Sequence, residues 1–158
     1  MSYAILGAGN VGQALATAFA RKGIEVAIAS RRPVEALAPV ARAIGPTVVP
    51  KTLREAVKAD IIFLAVPFET HKEVAKVADS WKDKIVIDVT NAYGVPPEKL
   101  GNLPSSVVIS QALPGASRVK AFNHLASAIL AQDPKVNGQH RVVFLSSDDQ
   151  SAANKLRN

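Results

Sequence analysis

Gly7, Gly9 and Gly12 stand in the run Gly7-Ala8-Gly9-Asn10-Val11-Gly12, and Ser30-Arg31-Arg32 begins eighteen residues after the last of them. In such a run the first glycine permits a tight turn, the second lets an anionic ligand approach the backbone, and the third lets a helix pack closely on a strand. The free amides of the helix N-terminus, with the macrodipole behind them, suit the pyrophosphate of a dinucleotide. The basic triplet falls where the ribose of that dinucleotide lies. An NAD site carries an Asp or Glu there, and such a carboxylate repels a 2′-phosphate. Ser30, Arg31 and Arg32 offer a hydroxyl and two guanidinium forks that match phosphate geometry. A charge-assisted hydrogen bond contributes about 1.5–3 kcal/mol, so two of them predict a preference for NADP(H) on the order of 100-fold or more. A glycine-rich turn of no consequence and a solvated basic loop are the plainer readings. The pairing of the two segments favours the cofactor.

Further candidates gather at the ends of three predicted strands. Ala65-Val66-Pro67-Phe68-Glu69-Thr70-His71 follows one, Asp88-Val89-Thr90-Asn91-Ala92-Tyr93-Gly94 the next, and Ala121-Phe122-Asn123-His124 the third. In a doubly wound sheet such loops cover the nicotinamide half of a dinucleotide. Val66 and Pro67 suit an apolar wall, while Asn91 and Asn123 suit the carboxamide or a polar group of a substrate. A carbonyl or imine substrate needs a proton donor, for which His71, Tyr93 and His124 are available. Transfer to a flavin-like ring needs orientation and exclusion of water instead. Each residue also has a plainer reading. His71 suits a helix start facing solvent, and Tyr93 and His124 suit packed or half-exposed loops. Asp88 suits a bond to a neighbouring loop, and His140 an exposed position before the last strand. Trp81 suits packing at a helix end. The histidines and carboxylates show no metal-ligand spacing.

The elements that must position these residues alternate along the chain. Strands are predicted at Tyr3 to Leu6, Glu25 to Ala29, Thr47 to Val49, Ile61 to Val66, Ile85 to Asp88, Arg118 to Phe122 and Arg141 to Leu145. The continuous run Ile61 to Val66 suits a central parallel strand covered on both faces. Helices are predicted at Val11 to Lys22, where Val11, Leu15, Ala18 and Phe19 share a face, at Val34 to Ile44 after Pro33, and at Thr70 to Asp79. Thr52 and Glu55 form a capping box for a helix through Lys58. Ser105 to Leu113 is rich in β-branched residues, yet its place between two strands assigns it as a crossover helix. Another helix begins at Asp148-Asp149. The alternation predicts one α/β domain over residues 1–158 with a doubly wound, mostly parallel sheet.

Composition agrees with that class. The 158 residues are 48% apolar and 5% aromatic, which suits one alanine- and valine-rich core. The net charge is +6, but the basic residues are scattered and not interleaved with aromatics, so an anionic cofactor explains them better than nucleic acid. With no cysteine, disulfides, thiolate catalysis and cysteine–metal sites are excluded. No apolar stretch reaches membrane-spanning length and no signal-peptide pattern opens the chain, so a soluble cytoplasmic protein is expected. A single open cleft favours a homodimer.

The succession GAGNVG, SRR, AVPFETH, IDVTNA, LPGA and VKAFN resembles the coenzyme F420 (deazaflavin)-dependent NADP oxidoreductases over nearly the whole chain. That family is similar in turn to the NADPH-binding domains of eukaryotic metalloreductases. The resemblance implies a Rossmann domain that passes a hydride between nicotinamide C4 and a planar acceptor, a deazaflavin or flavin. Carried over, Gly7, Ala8, Gly9, Asn10, Val11 and Gly12 bind the pyrophosphate, and Ser30, Arg31 and Arg32 the 2′-phosphate. Ala65, Val66 and Pro67 line the cofactor, and Asn91, Ala112, Leu113, Pro114 and Gly115 fall to the acceptor side. Two departures stand out. Ala92 follows Asn91 where many relatives have proline. Relative to the family the chain also stops early, at Asn158, which implies an acceptor pocket that is incomplete, completed by a second subunit, or lost. Three readings of function remain: NADP(H) oxidoreductase with a planar acceptor, reductase of a small carbonyl or imine, and non-catalytic NADPH sensor.

Overall fold

In the computed structural model, which describes residues 1–156, alternate residues of the central strands divide between two apolar layers. Ile5, Ile28, Ile61, Phe63 and Ile87 face one layer, and Ala4, Leu6, Ile62, Leu64 and Val86 the other. The strands are β1 (Tyr3–Leu6), β2 (Val26–Ala29), β3 (Val48–Pro50), β4 (Ile61–Leu64), β5 (Ile85–Asp88), β6 (Ser117–Ala121), β7 (Lys135–Val136), β8 (Gln139–His140) and β9 (Leu145–Ser146). Seven of them form one sheet in the order β3-β2-β1-β4-β5-β6-β9, and β7 pairs with β8 as a separate hairpin. All neighbours in the large sheet are parallel except β6 and β9.

The central strands β1, β2, β4 and β5 are buried on both faces, which is why they read as apolar runs. Helices α1 (Asn10–Arg21) and α2 (Val34–Ile44) cover the first layer with Leu15, Ala16, Leu37 and Ala41, joined by Ala152 of α7 (Gln150–Lys155). Helices α3 (Leu53–Ala56), α4 (His71–Ala75) and α5 (Ser105–Ala112) cover the second with Ala56, Val74 and Ile109. The short α6 (Ser127–Leu130) lies by α1, where the Arg21 guanidinium donates to the Ala131 carbonyl at 2.7 Å. The strand order reverses between β1 and β4, and a doubly wound sheet binds its ligands at that switch point, beyond the carboxyl ends of the strands. Among the described residues no helix is long and apolar enough to cross a membrane.

Several expectations are corrected. The strand expected at Arg141 to Leu145 is reduced to Leu145–Ser146, and Val142 and Phe144 are 65% and 71% exposed. Its backbone donors go elsewhere: the Arg141 amide donates to Pro134 O at 2.8 Å, and the Phe144 amide to His124 Nε2 at 3.4 Å. The β7–β8 hairpin and α6 lay outside the expected set, although Asn137-Gly138, with φ +51° and +78°, is a strong hairpin turn signal. The helix expected at Thr70 to Asp79 is shorter. It begins with a 3-10 turn at Phe68–Thr70 and ends at Ala75, where the Trp81 indole N–H donates to the Ala75 carbonyl at 3.0 Å. The capping box is present, but its helix ends at Ala56 rather than Lys58. The Thr52 side chain holds the Glu55 carboxyl below the usual carboxylate range.

Candidate functional site

The loop from β1 into α1 shows why two of its glycines are needed. Gly7 has φ +118°, and a Cβ there would stand 2.1 Å from the Ala65 carbonyl oxygen. A Cβ on Gly12 would stand 1.8 Å from the Gly7 carbonyl oxygen, so the helix could not close on the turn. Gly9 differs, because no atom lies within 4 Å of its would-be Cβ. The loop is therefore tight against protein at Gly7 and Gly12 and open at Gly9, on the side from which a pyrophosphate would approach. Gly9 is the N-cap of α1 and supplies no side-chain cap, which leaves first-turn amides free for an anion. The Gln13 side-chain amide donates to Ala8 O at 2.9 Å and pins the loop. Asn10 opens the helix exposed to solvent, and Val11 packs on the first apolar layer.

Gly7, Ala8 and Gly9 share a cavity of about 390 Å³ with Ser30, Arg31, Arg32, Ala65, Val66 and Pro67. Ser30 Oγ accepts the Arg32 backbone N–H at 3.0 Å, which curls the end of β2 round the cavity mouth. The Arg32 guanidinium reaches Ala8 O at 3.4 Å, and that of Arg31 lies 3.4 Å from the Glu73 carboxylate. Leu53, Val74 and Val77 line the same cavity. Glu73, Leu53, Val74 and Val77 were absent from the sequence-based candidates. Val74 and Val77 carry a weak signal in their spacing, whereas nothing local marks Glu73. Among the described residues no group of three or more His, Asp or Glu could hold a metal.

Asn91 does not join this cavity. It lines a second one of about 560 Å³ with Ala92, Tyr93 and the loop from Pro97 to Ser105. Its side-chain amide donates to Asn123 O at 2.9 Å, and the Asn123 amide donates back to Asn91 Oδ1 at 3.2 Å. The two asparagines thus clasp the ends of β5 and β6. Below them Asp88 is fully buried and accepts the Thr90 backbone N–H at 3.0 Å and hydroxyl at 2.7 Å. Lys120 Nζ donates to Asp88 at 3.0 Å and to the Thr90 carbonyl. Asp88 therefore bonds its own loop as expected, with a lysine that was not anticipated.

The remaining candidates fall apart from one another. His71 is buried and does not face solvent, because the Phe68–Thr70 turn directs it inward. Its ring lies 4.9 Å from that of Phe68, its Nδ1 meets Phe68 O, and its Nε2 is buried with no partner among the described residues. Tyr93 is 88% exposed. The His124 ring lies tilted against that of Phe144, 5.6 Å between centres, and His140 is exposed. Ala112, Leu113, Pro114 and Gly115 lie at the amino end of β6, with Gly115 against Lys82, so the acceptor role implied for them meets the wrong end of the sheet.

Residues 2–92, which contain the glycine loop, the basic triplet, the end of β4 and Asn91, match the family model for NADP oxidoreductase, coenzyme F420-dependent. The chain belongs to that family. Its class is the NADP-dependent oxidoreductases, and the cofactor of that class is NADP(H). The chain is similar over 143 residues, at 30% identity, to the metalloreductase STEAP3 of Rattus norvegicus, covering 89% of itself and 28% of that protein. It therefore spans little more than a quarter of that relative. The hypothetical protein SMa0349 of Sinorhizobium meliloti has a similar structure, with a TM-score of 0.92 and 37% identity over 99% of this chain and 78% of that one. A protein of Arthrobacter sp. FB24, provisionally named an F420-dependent NADP-reductase, superposes with a TM-score of 0.80 at 26% identity, over 99% of this chain and 78% of that one.

Proposed function

We propose that this chain passes a hydride between NADPH and a planar acceptor, a deazaflavin or a flavin. The observation that carries the reading is the single cavity at the switch point, which joins the open face at Gly9 to the basic edge of Ser30, Arg31 and Arg32. Gly7 to Gly12 hold the pyrophosphate on the amides of α1, and the basic edge takes the 2′-phosphate. Ala65, Val66 and Pro67 form the wall along which the dinucleotide runs towards β4 and β5. The Asn91–Asn123 clasp meets the carboxamide, and the neighbouring cavity bounded by Tyr93 receives the acceptor ring.

When bound, NADPH supplies the hydride from nicotinamide C4, and solvent supplies the proton that the reduced acceptor takes up. The chain's part is to hold two flat rings face to face, which needs orientation rather than a strong acid. This suits the candidates for proton transfer: His71 is sealed away, Tyr93 projects into solvent, and His124 accepts a backbone N–H. A carbonyl or imine reductase would need one of them turned towards its substrate, and Tyr93, the one that borders the acceptor cavity, is 88% exposed. Carrying deuterium at the transferable C4 position of NADPH into the reduced deazaflavin tests the reading. Deuterium at the acceptor's ring carbon supports direct transfer; acceptor reduced without label overturns it.

A further inference from the structure

A charged pair is buried beneath the Asn91–Asn123 clasp, and nothing in the hydride transfer itself uses it. Lys120 of β6 stands opposite Asp88 of β5 in the parallel ladder. Its ammonium bridges the Asp88 carboxylate at 3.0 Å and the Thr90 carbonyl, while the other Asp88 oxygen holds the Thr90 N–H and hydroxyl. The Asp88 side chain is fully buried and that of Lys120 is 17% exposed. Burying an ion pair costs desolvation that its attraction barely offsets, and an apolar pair of similar volume often gives equal or greater stability. Stability is thus a weak reason for this arrangement, whereas its geometry has a definite consequence. One Asp88 oxygen and the Thr90 carbonyl are tied to the Lys120 side chain of the neighbouring strand, and the other Asp88 oxygen holds Thr90 itself. Thr90 stands one residue before Asn91, and Lys120 three before Asn123.

We propose that Lys120 and Asp88 are positioning residues that fix Thr90 and Asn91 on β6, so that the clasp presents one rigid surface to the nicotinamide end of the cofactor. The inference rests on the reading above that this end of NADPH lies against Asn91. It requires no proton transfer by either residue. Loss of the pair loosens the nicotinamide end and leaves the pyrophosphate and 2′-phosphate contacts at the other end of the cofactor intact.

The test uses Asp88→Leu with Lys120→Met, which leaves no unpaired charge in the core, although the Thr90 N–H, hydroxyl and carbonyl lose these partners. Calorimetric affinity for NADPH and the fluorescence of the bound nicotinamide are measured together, with melting temperature as the check on folding. The expected result is an affinity within about threefold of the parent, loss of roughly half or more of the fluorescence enhancement, and a single-turnover rate to deazaflavin lower by ~10- to 100-fold. Lys120→Arg, which keeps charge and donors, recovers most of the signal that Lys120→Met loses. Asn91→Ala separates the two ideas. If it changes the nicotinamide signal and the double variant does not, the positioning role is overturned and the cofactor placement stands. If neither changes it, both fall.

Discussion

The Glu73 carboxylate lies 3.4 Å from the Arg31 guanidinium at the rim of the cofactor cavity, with both side chains well exposed. On the proposed placement of the cofactor, an acidic residue at this rim occupies the guanidinium that the 2′-phosphate would recruit, and it would repel that phosphate. An exposed pair is weak, so the effect is small but has a definite sign. Glu73→Gln should tighten NADPH by about two- to fivefold and leave NADH unchanged, as read by calorimetry at low salt. Unchanged or weaker NADPH binding would show that Glu73 has another role.

Arg31→Ala combined with Arg32→Ala should weaken NADPH by roughly 100-fold or more while changing NADH little, because the second nucleotide lacks the phosphate proposed to bind them. Parallel titrations with the two nucleotides decide it. Equal losses for both would mean that the arginines do not read the 2′-phosphate.

The glycines of the loop should separate by position. Gly9→Ala adds a methyl where no protein atom lies within 4 Å, so melting should be nearly unchanged while NADPH affinity falls. Gly12→Ala drives a Cβ to 1.8 Å from the Gly7 carbonyl oxygen, so melting temperature and affinity should both fall. Thermal unfolding with and without NADPH distinguishes these outcomes.

The parts legible in the sequence are those set by local chemistry and period. The glycine loop, the first apolar strands and the Thr52–Glu55 box each carry their own signal, and each lies at or within two residues of its expected place. Legibility fades where tertiary contacts decide. Arg141 to Leu145 carries an apolar run like a strand, yet Pro134 and His124 take the Arg141 and Phe144 amides. His71 looked like an exposed helix start until the preceding 3-10 turn directed it inward. In the candidate site, the glycine loop and basic edge were visible as motifs, whereas Glu73 and Lys120 come from distant segments. Lys120 meets Asp88 across 32 residues of chain, and no spacing rule encodes that meeting.

At the far end of the fold, Asp149 caps α7 and accepts the Ser117 hydroxyl at 2.6 Å. The Ser117 hydroxyl first, and the Ala152 amide second, hold its carboxyl below the usual carboxylate range. A depressed folded-state value stabilises above the unfolded value and is lost as pH falls through the folded one. Asp149→Ala should therefore lower the melting temperature by a constant amount from about pH 7 to 5, with the gap narrowing below about pH 4. A gap independent of pH would remove the carboxylate charge from the account.

The most direct test of the proposed function is single-turnover oxidation of bound NADPH, followed by nicotinamide absorbance, with a deazaflavin and then a flavin as acceptor. The account predicts rapid decay with at least one of them, and much slower decay when NADH replaces NADPH. Tight NADPH binding with no decay in the presence of either acceptor would contradict it.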